Sequence, residues 1–111
     1  MQIAKAVTKY VRISPRKARL AAGLIRGRSV EDAALQLKVS PLRGSRLLCK
    51  TLDTAVANAE TQLNVQRRDL IVKEVRVDAG PVMKRSKAKS RGSSVPVMKR
   101  TSHFTILVAA E

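Results

Sequence analysis

Aromatic side chains are almost missing from this chain: it has one Tyr, one Phe and no Trp in 111 residues, an aromatic fraction of 2%. Ala, Val, Leu and Ile must therefore supply nearly all the packing, and although a hydrophobic fraction of 44% supports a modest core, a large enclosed ligand cavity is not expected. Cys49 is the single cysteine and His103 the single histidine, which excludes an internal disulfide, a zinc cluster and a paired-histidine metal site. No glycine-rich phosphate loop is present. No apolar run approaches the length of a membrane span, and Met1-Gln2-Ile3-Ala4-Lys5 lacks the apolar stretch of a secretory signal. These absences point to a protein of the cytosol or an organelle interior, without cofactor, metal or membrane insertion, and they leave catalysis with little support.

Acidic residues are scarce too, and unevenly so. The formal charge is +15, from 23 Lys and Arg against 8 Asp and Glu, which favours a polyanionic partner. Residues 1–30 carry eight basic and no acidic side chains, residues 31–80 are nearly neutral, and residues 81–100 add seven basic and no acidic ones. The charge thus lies at both flanks of a neutral middle. A chain of this length is read as one domain, 1–111, with one extension.

Along the chain, residues 2–13 give a weak strand signal. Ser14-Pro15 opens a helix, with Ser as N-cap and Pro at the first helical position; Ala18, Ala21, Leu24 and Ile25 follow at helical spacing, and Gly27 is the expected stop. Ser29, three residues before Asp32, opens a second helix carrying Val30, Ala33, Ala34 and Leu37 on one face. Ser40-Pro41 repeats the start signal for a third, longer helix along Leu48, Leu52, Ala55, Val56, Ala59 and Leu63, ended by Asn64. Leu70 and Val72, then Val75 and Val77, alternate as in a strand, with a phase slip at Lys73-Glu74 that a bulge would absorb. Phe104, Ile106 and Val108 alternate with Thr105, Leu107 and Ala109 in a strand partly buried on both sides, and the two strands suggest an antiparallel pair.

Residues 81–100 connect those two strands and are too long for an ordinary loop. Folded back near Arg91-Gly92-Ser93, each limb has about ten residues and, at about 3.3 Å per residue, reaches roughly 30 Å from the body. Lys84, Arg85, Lys87, Lys89, Arg91, Lys99 and Arg100 are spaced along this arm as candidates to neutralise phosphates. The alternative is a flexible basic linker. A two-stranded ribbon is marginal in water, so the arm is expected to order mainly on binding.

The second cluster is Arg12, Arg16, Lys17, Arg19, Arg26 and Arg28, which is either a solvated helix face or a phosphate-binding one. Arg16 and Lys17 sit at a helix N-terminus, where the macrodipole disfavours cations, and an external phosphate would resolve that conflict. His103 follows Lys99-Arg100-Thr101-Ser102 and is a candidate for either an RNA contact or a structural hydrogen bond. Cys49, next to Leu48 in the third helix, reads as a small buried apolar residue rather than a nucleophile. With only Tyr10 and Phe104 to stack bases, recognition of folded RNA by shape and backbone fits better than single-strand binding. Rivals are a nucleoid-type or general RNA-chaperone protein, favoured by charge alone, and a small basic nuclease using His103.

The residues resemble the family of the large-subunit ribosomal protein L-twenty-two in its bacterial type. The resemblance covers essentially the whole chain. It is carried by Ser14-Pro15-Arg16-Lys17-Ala18-Arg19-Leu20, Leu24-Ile25-Arg26-Gly27, Ala57-Asn58-Ala59-Glu60, Val77-Asp78-Ala79-Gly80-Pro81, Met83-Lys84-Arg85 and Lys99-Arg100-Thr101-Ser102-His103. It implies an α+β fold, three helices packed on a small three-stranded antiparallel sheet, with a long projecting β-hairpin. It also implies a structural constituent of the large subunit, not an enzyme, working in translation in the cytoplasm or an organelle. The body would bind large-subunit ribosomal RNA beside neighbouring ribosomal proteins, and the hairpin would line the exit tunnel. On this basis Lys84, Arg85, Lys99 and Arg100 look like RNA contacts on the limbs. The tip meeting the nascent polypeptide would be Lys87, Ala88, Lys89, Ser90, Arg91, Gly92 and Ser93. There the sequence departs from the family, which often has Pro-Arg-Ala where Ala88-Lys89-Ser90 stands, and Gly-Arg where Gly92-Ser93 stands.

Overall fold

A computed structural model describes residues 2–88, 92 and 94–110. The order of elements is β1 (Gln2–Val11), α1 (Pro15–Ala22), α2 (Val30–Val39), α3 (Arg43–Leu63), a single 3-10 turn (Arg67–Asp69), β2 (Leu70–Ala79), β3 (Met83–Ala88), β4 (Ser94–Lys99) and β5 (Ser102–Ala110). The expected α+β architecture is therefore present, with three helices and two antiparallel sheets, one of order β1-β5-β2 and one of β3 and β4.

α1 begins as its sequence dictates: the Ser14 Oγ accepts the Lys17 N–H at 3.4 Å, and Pro15 occupies the first turn. It stops at Ala22, earlier than the spacing of Leu24 and Ile25 suggests. Residues 23–28 continue as tighter turns, with N–H groups of Leu24, Ile25 and Arg28 bonded three residues back, until Gly27 at φ 75° redirects the chain. Ile25 stays fully buried, so its hydrophobic position is right although its helical one is not. α2 is capped by Ser29, whose Oγ accepts the Asp32 N–H at 3.3 Å, and Glu31 and Asp32 suit the positive end of its dipole.

The third helix starts later than Ser40-Pro41 suggests. Ser40 ends α2, its N–H bonded to the Gln36 carbonyl, and its Oγ accepts the Leu42 N–H at 3.3 Å. α3 follows from Arg43 with Leu42 at the N-cap and no side-chain acceptor there, and it ends at Asn64 in the left-handed conformation. Leu48, Leu52, Ala55, Val56 and Ala59 form its buried face, which packs on β1 and β5, while α1 packs on α3.

β5 is the central strand and the most buried: Phe104, Ile106 and Val108 are fully enclosed and Thr105 and Leu107 half-enclosed. The phase slip in β2 is a bulge, because Val72 pairs with Val108 and Glu74 with Leu107, leaving Lys73 as the extra residue. A second bulge, not read from the sequence, lies in β1 between Thr8 and Val11, where Tyr10 has φ 58°. A bulky residue in that region costs on the order of 1 kcal/mol.

The outer flank of β2 is covered locally. Gly27 N–H bonds the Val72 carbonyl at 3.1 Å, Val72 N–H bonds the Arg28 carbonyl at 2.8 Å, and Ser29 bridges to Ile71. Further along, Arg19 donates from Nε and Nη2 to the Val77 carbonyl, and Arg26 does the same to Val75, with Nη2 distances of 3.0 Å in both cases. The second sheet buries little: Lys84, Arg85, Ser86, Lys87, Pro96, Met98 and Lys99 are exposed, with Met83 and Val97 half-buried. The molecule measures 62 × 25 × 16 Å along its principal axes.

Candidate nucleic-acid interface

Where the β3–β4 ribbon joins the body, a groove of about 760 Å³ opens between the start of α1, the start of α3 and the ribbon's two limbs. Arg12, Lys17, Arg43, Arg85, Lys99 and Arg100 line it, with Ile13, Leu20, Leu42, Met83 and Met98 as its apolar surface, and among the described residues no carboxylate takes part. The convergence follows from local structure. The Ser14 cap places Lys17 in the first turn of α1, and Gly44 lets α3 approach α1 closely enough to bring Arg43 in. A Cβ at Gly44 would stand 3.3 Å from both the Ala18 Cα and the Ile13 Cδ1.

The ribbon's root is fixed by short hydrogen bonds. Gly80 N–H bonds the Thr101 carbonyl at 2.9 Å, the Thr101 hydroxyl donates to the Pro81 carbonyl at 2.6 Å, and the buried Ser102 hydroxyl donates to the Ile13 carbonyl at 2.6 Å. That last bond ties the end of the ribbon to the loop carrying Arg12. A Cβ on Gly80 would lie 2.5 Å from the Thr101 Oγ1, so this close crossing requires glycine.

Electrostatically the groove is unbalanced. Neither α1 nor α3 has an acid in its first turn, and α3 lacks a side-chain cap, so the positive ends of two helices face Lys17 and Arg43. Like charges held this way raise the free energy of the isolated protein and lower it again when an extended anion enters.

Of the residues expected from sequence, Arg12, Lys17, Arg85, Lys99 and Arg100 are brought together in the groove. Lys84 and Lys87 are exposed on the ribbon, and the Arg85 Nη1 donates to the Lys84 carbonyl at 2.9 Å. Arg16 is exposed on the first turn of α1, outside the groove. Arg19 and Arg26 use two donors each on β2, and Arg28 pairs with Asp32 at 2.8 Å. His103 is half-buried and its Nδ1 accepts the Tyr10 N–H at 3.1 Å, the structural bond considered above. At the tip, Ala88 closes β3 and Gly92 has φ 75°, while Lys89, Ser90, Arg91 and Ser93 lie outside the described residues.

Sequence reasoning missed Arg43, Arg46 and Lys50, which share one face of α3 and line a shallower hollow of about 320 Å³ with Leu47. Their spacing of three and seven was the available signal. Cys49 is half-buried, and burial, then Asp53, raises its thiol pKa above the ordinary value, with Lys38 and Arg67 pulling the other way, which disfavours the thiolate a nucleophile needs. Among the described residues no group of three or more His, Cys, Asp or Glu could hold a metal ion.

This basic, carboxylate-free groove at the foot of a two-stranded ribbon sits in a chain with clear relatives. A family model described as ribosomal protein L22p/L17e matches residues 6–109. The chain is 69% identical over 109 residues to the large ribosomal subunit protein uL22 of Protochlamydia amoebophila, covering 98% of each chain. It is 60% identical over 104 residues to the uL22 of Chlamydia muridarum and 59% identical over 104 residues to that of Chlamydia pneumoniae, covering 94% of each chain in both cases.

Proposed function

The chain belongs to the ribosomal protein L22p/L17e family, and from that premise we propose that it binds large-subunit ribosomal RNA through the groove and the ribbon beside it. It is a protein of the large ribosomal subunit with a structural part in translation and is not an enzyme. In the proposed arrangement the chain is one domain, 1–111, seated on ribosomal RNA and neighbouring ribosomal proteins in the cytoplasm. Residues 81–100 form an extended hairpin arm that lines the nascent-polypeptide exit tunnel, with residues 87–93 meeting the nascent chain. Binding by Arg12, Arg16, Lys17, Lys84, Arg85, Lys87, Lys99 and Arg100 supports subunit assembly by neutralising phosphates from RNA segments that would otherwise repel one another. Lys89 and Arg91 add charge nearer the tip, and His103 lies at the root. Arg19 and Arg26 contribute mainly through β2, whose backbone they hold, with their remaining N–H groups available to phosphate.

The observation that carries this reading is the convergence of six Lys and Arg from the β1–α1 loop, α1, α3 and the ribbon on one groove with no carboxylate among the described residues that line it. A combined Arg85→Ala, Lys99→Ala and Arg100→Ala variant tests it. Binding of the purified protein to a large-subunit ribosomal RNA transcript is measured across a salt series. The slope of log K against log[salt] should shallow by about two to three for the variant, close to one per lost phosphate contact, with thermal unfolding unchanged. An unchanged slope would remove the groove from the interface. Equal displacement of the wild type by random duplex DNA would reduce the function to generic polyanion binding.

A further inference from the structure

We propose that Tyr10 is a stacking platform for one unpaired RNA base, the point where a protein otherwise built to grip phosphates reads a base. The inference rests on the RNA-binding reading above. β1 pairs with β5 as far as Thr8 opposite Phe104 and resumes at Val11 opposite Ser102, so Lys9 and Tyr10 form a bulge. Tyr10 holds φ 58° there, a left-handed conformation that bulges ordinarily give to glycine. Its residue surface is 64% exposed, so most of the ring stands in solvent. A glycine at this position would relieve the backbone and remove apolar surface from water. The strained backbone opposes tyrosine in the free protein and contact with one neighbouring ring offsets only part of that, so the exposed remainder of the ring is open to a partner.

The ring is nevertheless held in place. Tyr10 N–H donates to the His103 Nδ1 at 3.1 Å, and the two rings meet at 89° with centroids 5.0 Å apart. His103 is in turn seated against Gly80, where a Cβ would come within 3.1 Å of the His103 Cε1. An edge-to-face contact of this kind occupies at most one face of the phenol and leaves the other for a planar partner. Lys9 and Arg12, both exposed on the same segment, flank it, and Arg12 lines the cationic groove. A flat π-surface next to phosphate-binding cations suits an unstacked nucleobase whose own backbone runs into the groove. His103 acts here as a positioning residue, setting the strained backbone through its Nδ1.

Because Tyr10 is the only tyrosine and the chain has no tryptophan, intrinsic tyrosine fluorescence reports on this ring alone. The full protein is titrated with a large-subunit ribosomal RNA transcript and, separately, with long-chain inorganic polyphosphate, which carries charge without bases. Binding is followed independently by sedimentation. After correction for the exciting light that the RNA itself absorbs, the expected result is quenched emission with the RNA and unquenched emission with bound polyphosphate. Tyr10→Phe should bind the RNA within about twofold of wild type, and Tyr10→Gly roughly 5- to 100-fold more weakly, the range for losing one base–aromatic stack. The unfolding temperature of Tyr10→Gly should be unchanged or higher, whereas a structural role for the ring would lower it. RNA binding without quenching, equal quenching by polyphosphate, or full RNA affinity in Tyr10→Gly would each overturn the platform while leaving the groove intact. Failure of the wild type to bind the RNA at moderate salt would instead sink the RNA-binding reading, and the platform with it.

Discussion

The three-stranded sheet with its helices and the β3–β4 ribbon obey different rules within one chain. In the first, Phe104, Ile106, Leu48, Leu52 and Val72 have no exposed surface, and apolar burial at roughly 1.5–3 kcal/mol per large side chain specifies the structure without a partner. In the second, six backbone pairs from Met83–Lys99 to Ala88–Ser94 align two strands whose side chains mostly face water. Backbone pairing alone leaves such a ribbon marginal. The body thus carries the stability, while the ribbon adds seven basic and no acidic side chains without a core of its own, the two joined at the short crossing of Gly80, Thr101 and Ser102.

The sharpest way to break that division is to truncate one residue on each side of it. Phe104→Ala should cost about 3–5 kcal/mol in chemical denaturation, because a fully buried ring leaves a cavity. Met98→Ala, on the ribbon, should stay within about 0.5 kcal/mol. Comparable losses at the two positions would mean that the ribbon is an integral part of the core. The junction comes next in size. Gly80→Ala forces a Cβ against the Thr101 Oγ1 and should cost about 1–3 kcal/mol, as overpacking does. Amide exchange should quicken in β3 and β4 more than in β5, and a uniform change would sharpen the junction into a part of the body. The smallest effect lies inside the body. The raised Cys49 pKa predicts that iodoacetamide alkylates it at pH 8 more slowly than free cysteine, the rate climbing as pH approaches the shifted value; equal rates would contradict its burial.

What could be read from sequence was what is local. Ser14 and Ser29 cap the helices they precede because an N-cap bond spans three residues, and the slip at Lys73-Glu74 marked a bulge because a strand's period of two cannot absorb an odd residue. The start of α3 was misplaced for the same reason in reverse: Ser40 carries the right side chain but serves the end of α2, and Leu42 gives no signal at all. The Thr8–Val11 bulge was hidden because Tyr10 stands where glycine would have announced it. Of the basic side chains, composition marked the class of partner, and the flanking segments supplied most of the groove. The attachment of Arg19 and Arg26 to Val77 and Val75, 58 and 49 residues away, depends on how α1 and the turns after it lie along β2 and has no local trace.

That attachment bears on the life of the protein before it meets RNA. A sheet's outer strands are templates onto which another chain can add, and a subunit awaiting assembly would be exposed to that hazard. Here both flanks are blunted by separate devices. The 27–29 segment and the two guanidinium groups occupy β2, while β1 carries Lys5 and Lys9, a bulge, and the Asn58 side chain bonded to the Lys5 carbonyl at 3.0 Å. A chain adding strand by strand meets occupied hydrogen-bonding groups along β2 and a bulged, lysine-bearing edge at β1, and both disfavour growth of this sheet into a fibre.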